Sequence, residues 1–157
     1  MFVLNYRLKK AKRLFIALAA VSAALAVICA CALVFSQRLP RDTAVCDAIG
    51  EYSLRAETEE QTKAFFAQLG MEADIEGSVK KEVTIPAHFN GTYQAYNELQ
   101  RHAGLDLSRY CGKTVERYTI PVSGAGADYA VILVCRGRVI GGHLTNGEYG
   151  GEDLPLI

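Results

Sequence analysis

Few residues in this chain have the types and spacing to do chemistry. Cys111 lies in a loop-like stretch, and His88, His102 and His143 are the only histidines that could serve it as a base. Thiol catalysis needs an imidazole within hydrogen-bond reach of the sulfur and a third group to orient the ring. No local signature surrounds any of the four. The expectation is therefore exposed histidines and a half-buried cysteine, with a thiol-dependent enzyme using Cys111 and a histidine as the alternative. Metal ligation has equally thin material. His88 and His102 are 14 positions apart, which on a helix separates them by only about 40° in direction but by about four turns. There is no His-x3-His or Cys-x2-Cys pair, so no metal and no other cofactor is expected.

The glycines and amides are read as structural. Gly124-Ala125-Gly126 and Gly141-Gly142 lie among β-type segments, whereas a dinucleotide fingerprint opens a helix after a strand. Asn97, Gln100, Lys113 and Arg117 would suit a polar groove. The favoured role for Asn97 and Gln100 is to fasten a helix to the following Asp106–Lys113 loop by hydrogen bonds. Cys46, Cys111 and Cys135 are odd in number and widely spaced, so they do not form a disulfide framework. A Cys46–Cys111 bridge is left open, and Cys135 is expected to be a buried small hydrophobe.

Half of the 157 residues are hydrophobic and 22% are charged, which excludes a disordered or fibrous chain and allows one packed domain plus a small addition. The formal net charge of zero hides an asymmetry. Residues 1–13 hold five basic side chains and no acid, leaving 12 basic against 17 acidic over the remainder. A nucleic-acid partner would call for a basic folded part, so none is expected.

Residues 14–35, from Leu14 to Phe35, contain no charge and only one clearly polar side chain, Ser22. As a helix they would span about 33 Å, enough to cross a hydrocarbon core of about 30 Å. The flanking positive charge puts residues 1–13 in the cytoplasm and everything after Phe35 outside. An uncleaved signal anchor in contact with membrane lipid is the expectation. Cleavage at Ala30-Cys31-Ala32 and lipoprotein processing at Cys31 are the alternatives. The anchor is favoured because the apolar stretch exceeds the 7–15 residues of a signal peptide and stays apolar through Leu33, Val34 and Phe35.

Residues 36–48 read as a tether, since Gln37, Arg38, Pro40, Arg41 and Asp42 cannot form an apolar face. The remaining chain, 49–157, reads as one extracytoplasmic domain. Glu51–Ala56 alternates like a strand. Thr58 and Gln61 fit a capping box, and Gly70-Met71 fits a Schellman ending for the helix between them. Met71–Ile75 and Val79–Ile85 alternate about Gly77-Ser78 and predict a hairpin. Pro86 then opens a helix over about Ala87–Ala103, with Phe89, Tyr93, Tyr96, Leu99 and Ala103 as its apolar stripe. Gly104-Leu105 repeats the helix ending, and Asp106 can cap Leu107–Tyr110.

Strands follow over Thr114–Val122, Tyr129–Cys135 and Arg138–Thr145. Arg136-Gly137 forms the last turn, and Gly141-Gly142 marks a bulge or a close backbone approach. The glycine-rich tail is expected to be irregular. The sum is an α+β domain: a five- or six-stranded, mainly antiparallel sheet with two helices packed on one face. The expected core is Phe65, Phe66, Leu69, Val83, Ile85, Phe89, Tyr93, Tyr96, Leu99, Tyr118, Ile120, Ile132, Val134 and Val139.

The stretch Ile85–Val122 carries a resemblance. Ile85-Pro86, Phe89, Tyr93, the block Tyr96–Gln100, Gly104 and Asp106-Leu107, then Tyr110, Gly112-Lys113 and Arg117-Tyr118, resemble a mostly Gram-positive bacterial family known as domain of unknown function 4830. Phe65–Gly70 and Val139–Gly142 extend the likeness to about residues 57–145. The resemblance implies a small extracytoplasmic domain, often behind a single N-terminal membrane helix, and brings no assigned activity. His143 departs from it, standing where the family pattern has an acidic residue, which argues against a polar site beside Gly142. The functional expectation is a membrane-anchored, non-enzymatic module that binds a protein or a small ligand.

Overall fold

The computed structural model describes residues 18–31, 39–147 and 153–157. The chain divides into two units, Met1–Leu39 and Pro40–Ile157. In the first, residues 18–31 form helix α1, exposed along its whole length. Its Ser22 hydroxyl donates back to the Ala19 carbonyl at 2.9 Å. No helix among the described residues is long and apolar enough to cross a membrane. The basic residues 1–13, and 14–17 and 32–35 of the expected span, lie outside the described residues.

The second unit opens earlier than the sequence suggests. Thr43–Cys46 form strand β1, paired antiparallel with β2 (Gly50–Ser53), where a tether to residue 48 was expected. Ala44 and Cys46 alternate inward and are buried. Two small side chains on either side of an exposed valine, Val45, make no apolar–polar alternation to be read as a strand. Beyond β2, Leu54 and Ala56 extend the chain along the start of the last strand, Ala56 donating to the Gly137 carbonyl and Val139 to that of Leu54.

Helix α2 (Glu59–Gln68) is capped as expected. The Thr58 hydroxyl accepts from the Gln61 N–H, and the Gln61 side chain accepts from the Glu57 N–H. Gly70 adopts a φ of 75°, letting its N–H reach Ala67 and that of Met71 reach Phe66, the paired bonds of a Schellman ending.

The main sheet has five antiparallel strands: β3 (Glu72–Ala73), β4 (Val79–Thr84), β5 (Thr114–Ser123), β6 (Tyr129–Cys135) and β7 (Arg138–Thr145). The expected hairpin between β3 and β4 is absent. Both strands pair with β5 instead, β3 against Val122-Ser123 and β4 against Thr114–Thr119. They form one interrupted edge strand, and Pro121 explains the break. It has no N–H to offer that edge, and its carbonyl alone takes the Asp74 N–H. Among the described residues β4 pairs only with β5, which leaves its outer edge open. The β6–β7 turn has φ of 52° at Arg136 and 71° at Gly137, both left-handed, as a two-residue type I′ hairpin requires.

The two helices do not share a face. Phe65 and Phe66 of α2 cluster with Ile120, Ile132 and Val134, while Tyr96 of α3 (Gly91–His102) clusters with Val115, Leu133 and Ile140. Ile132 and Leu133 are neighbours in β6 and point to opposite faces, so the sheet lies between two layers. The cause is β6 itself, buried from Ala130 to Val134, which needs cover on both sides.

α3 also starts later than expected, because Asn90 and not Pro86 supplies the cap, accepting from the Tyr93 N–H at 3.0 Å. The tail is not wholly irregular. Leu154 exchanges two backbone bonds of 2.9 Å with Leu144, and Leu156 is buried.

Candidate functional site

Helix α3 is fixed to the domain at its C-terminal end, and by polar groups. The Asn97 amide donates to Asp106 at 3.0 Å and accepts the Leu107 N–H at 2.7 Å. Burial favours the acid form of Asp106, but hydrogen bonds from Asn97 and Ser108 outweigh it and hold the carboxyl below its usual range. The Asn97 link is the fastening expected from the sequence. Gln100 differs: it is fully buried and reaches strand β7 instead of the loop, accepting the Gly142 N–H at 2.6 Å.

Gly141 makes this approach possible, since a β-carbon there would lie 2.8 Å from the Leu107 side chain and 3.2 Å from Gln100 Oε1. Gly142 admits a different neighbour on the other face of the sheet, where a β-carbon would lie 2.6 Å from Leu156. A register shift opposite Leu133-Val134 adds the expected bulge beside them.

Toward its N-terminus, α3 stands away from the sheet over a cleft of about 680 Å³. Phe89, Tyr93, Tyr96 and Leu99 form one wall. Val83 and Ile85, with Val131 and Leu133, form the other. The stripe expected to be core is thus mainly cleft lining, and Tyr93 is 42% exposed. The rings of Phe89 and Tyr93 stack at 6.0 Å.

A polar corner closes one end. The Tyr96 hydroxyl lies 2.8 Å from His143 Nδ1, and His143 Nε2 lies 3.2 Å from Asp153. Both contacts are satisfied by a neutral imidazole protonated on Nε2, with the tyrosine hydroxyl donating to Nδ1 and Nε2–H donating to the carboxylate. The His143 side chain is only 12% exposed. Burial pushes its pKa down, the Asp153 carboxylate opposes this, and the Arg117 cation adds to it. Burial, reinforced by Asp153, likewise pushes the Tyr96 phenol far up. Such a corner can accept hydrogen bonds at the cleft, at the tyrosine oxygen and the carboxylate, without carrying a formal charge on the ring.

The other sequence candidates are dispersed. Cys111 is exposed, and no hydrogen bond joins it to a histidine among the described residues. Cys46 is buried, Cys135 half-buried, and all five cysteines are free, so no Cys46–Cys111 bridge is present. Among the described residues no cluster of three potential metal ligands occurs. Lys113 lies over the Tyr110 ring, while Arg117 lines the cleft. The polar site beside Gly142 that the sequence argued against is present, with His143 at its centre. Asp153 carried no sequence signal, because its contact depends on a tail folding back onto β7.

Fold and site together define a two-faced α+β sheet domain with an apolar helix–sheet cleft. The chain belongs to the family described as domain of unknown function DUF4830, whose model matches residues 65–144. That match covers Tyr96, Arg117 and His143 and stops short of Asp153. No curated protein matches the chain, and no solved structure does.

Proposed function

We propose that the protein is a single-pass membrane protein displaying a non-enzymatic binding module outside the cell, with the cleft under α3 as its ligand site. One observation carries the reading: α3 leaves Tyr93 exposed and Tyr96 and Leu99 only half-buried, facing a second apolar wall across about 680 Å³. Small-molecule sites are concave, mostly apolar, set with a few converging polar groups, and about 300–1,000 Å³ in volume. The exposed Cys111, without a histidine partner, favours binding over thiol chemistry.

Anchoring is supported by the uncharged stretch Leu14–Phe35 and by the five basic residues before it. Residues 18–31 are exposed on every side of their helix, and Ser22 bonds within it, as a lipid-facing hydroxyl must.

The test has two readouts. The full chain should stay with membranes through carbonate and high-salt washes; a soluble product beginning near Leu33, or lipid on Cys31, would replace the anchor by cleavage or lipoprotein processing. Held in phosphatidylcholine nanodiscs, the chain should also bind octanol saturably at one site. That site should be lost in Leu99→Asp, and binding indistinguishable from that of empty nanodiscs would remove the cleft from the proposal.

A further inference from the structure

The charges around the cleft are divided along the sheet. On the β7 side, the Asp153 carboxylate is engaged by His143. On the β4–β5 side, Lys81 and Arg117 are directly opposite in the antiparallel register, and so on the same face. Leu133, a cleft residue, is opposite Arg117 on its other side, which fixes that face as the one toward α3. Like charges directly opposed across two strands destabilise a sheet. The opposite face of the same strand pair treats its cation differently, with Lys80 paired to Glu116 at 2.6 Å. Among the described residues neither Lys81 nor Arg117 has a carboxylate partner.

From this juxtaposition we infer that the cleft takes an apolar molecule carrying a single anionic group, whose charge lies between Lys81 and Arg117 while its apolar part runs under Tyr93 and Leu99. The inference rests on the cleft being a binding site. An anion there would relieve the opposed cations and accept charge-assisted hydrogen bonds from the guanidinium. It would also be kept from the Asp153 end by repulsion. The shared chemistry is an alkyl or aryl chain ending in a carboxylate or phosphate, whether free in solution or part of a lipid.

The experiment uses the full chain in phosphatidylcholine nanodiscs and calorimetric titration with octanoate, octanol and octylammonium, each corrected for empty nanodiscs. Octanoate should bind about tenfold tighter than octanol, and octylammonium weakest. Arg117→Gln should abolish the preference for octanoate over octanol, with an unchanged circular dichroism spectrum showing that the variant is folded. Lys81→Gln, at an exposed position, should lose part of the preference. If octanol binds and octanoate binds no better, the anion site is refuted and the cleft survives. If none of the three binds, the cleft reading falls and takes this one with it. Should the preference hold, nanodiscs containing phosphatidylglycerol separate the two sources. Competition with octanoate at unchanged total lipid identifies the lipid headgroup, and its absence identifies the free molecule.

Discussion

On the α2 side of the sheet, Phe65 and Phe66 are 1% and 0% exposed and pack with Ile120, Ile132 and Val134, leaving beside them only a smaller cleft of about 240 Å³. On the α3 side the helix is longer, yet Tyr93 is 42% exposed and the space beneath it is open. The difference lies in what attaches each helix. α2 is pressed onto the sheet by two adjacent aromatic side chains, and that attachment fills volume. α3 is tied by Asn97 and Gln100, whose hydrogen bonds fix position and angle at one end without filling the space at the other. Polar fastening holds a helix at a distance, and a cleft is the result.

The contrast can be tested by substitution in residues 40–157 alone, which contain both cores and are expected to melt in one cooperative transition. Phe66→Ala should have the largest effect, about 3–5 kcal/mol in urea denaturation, the cost of an unfilled space in a closed core. Gln100→Ala should cost about 1–3 kcal/mol, because it leaves the Gly142 N–H buried without a partner. A cost as small as that of a surface change would show that the tie does not hold α3.

The third effect depends on pH. The folded-state pKa of His143 is below its ordinary 6.5, mainly through burial. The unfolded chain therefore binds the proton more readily than the folded one. Stability from keeping this ring neutral is fully present above pH 6.5 and is lost as pH falls from there through the folded pKa. Between pH 7.5 and 5.5 the melting temperature of the native domain should fall more than that of His143→Gln. Equal falls would remove the histidine from the account. Tyr93→Ala should change least, by less than about 0.5 kcal/mol, since its ring covers no closed core. A loss like that of Phe66→Ala would show that the cleft is packed shut in solution.

What the sequence revealed and what it hid follow the same division between local and distant causes. Thr58 with Gln61, Gly70, Gly104 and Arg136-Gly137 were all legible, because capping and turn geometry are decided within a few residues. The closed core around Phe65, Phe66, Ile120 and Ile132 was legible too. The pairing of both β3 and β4 with β5 was not, since it turns on the missing N–H of Pro121, some forty residues away. The apolar stripe Phe89–Leu99 was found but placed in the core, because a side chain lining a cleft has the same periodicity as one buried in a core. The polar corner combines residues from a helix, a strand and the tail, and no spacing in the chain announces it.

The open side of β4 also bears on how copies of the protein behave toward one another. A strand with an unpaired edge offers backbone groups to any neighbouring strand, and edge-to-edge pairing is a common route to aggregation. Here three consecutive charged residues, Lys80, Lys81 and Glu82, occupy the middle of that strand. An approaching strand would have to strip water from all of them before pairing its backbone. The same row that puts Lys81 on the cleft face therefore also works against edge-to-edge growth of the sheet.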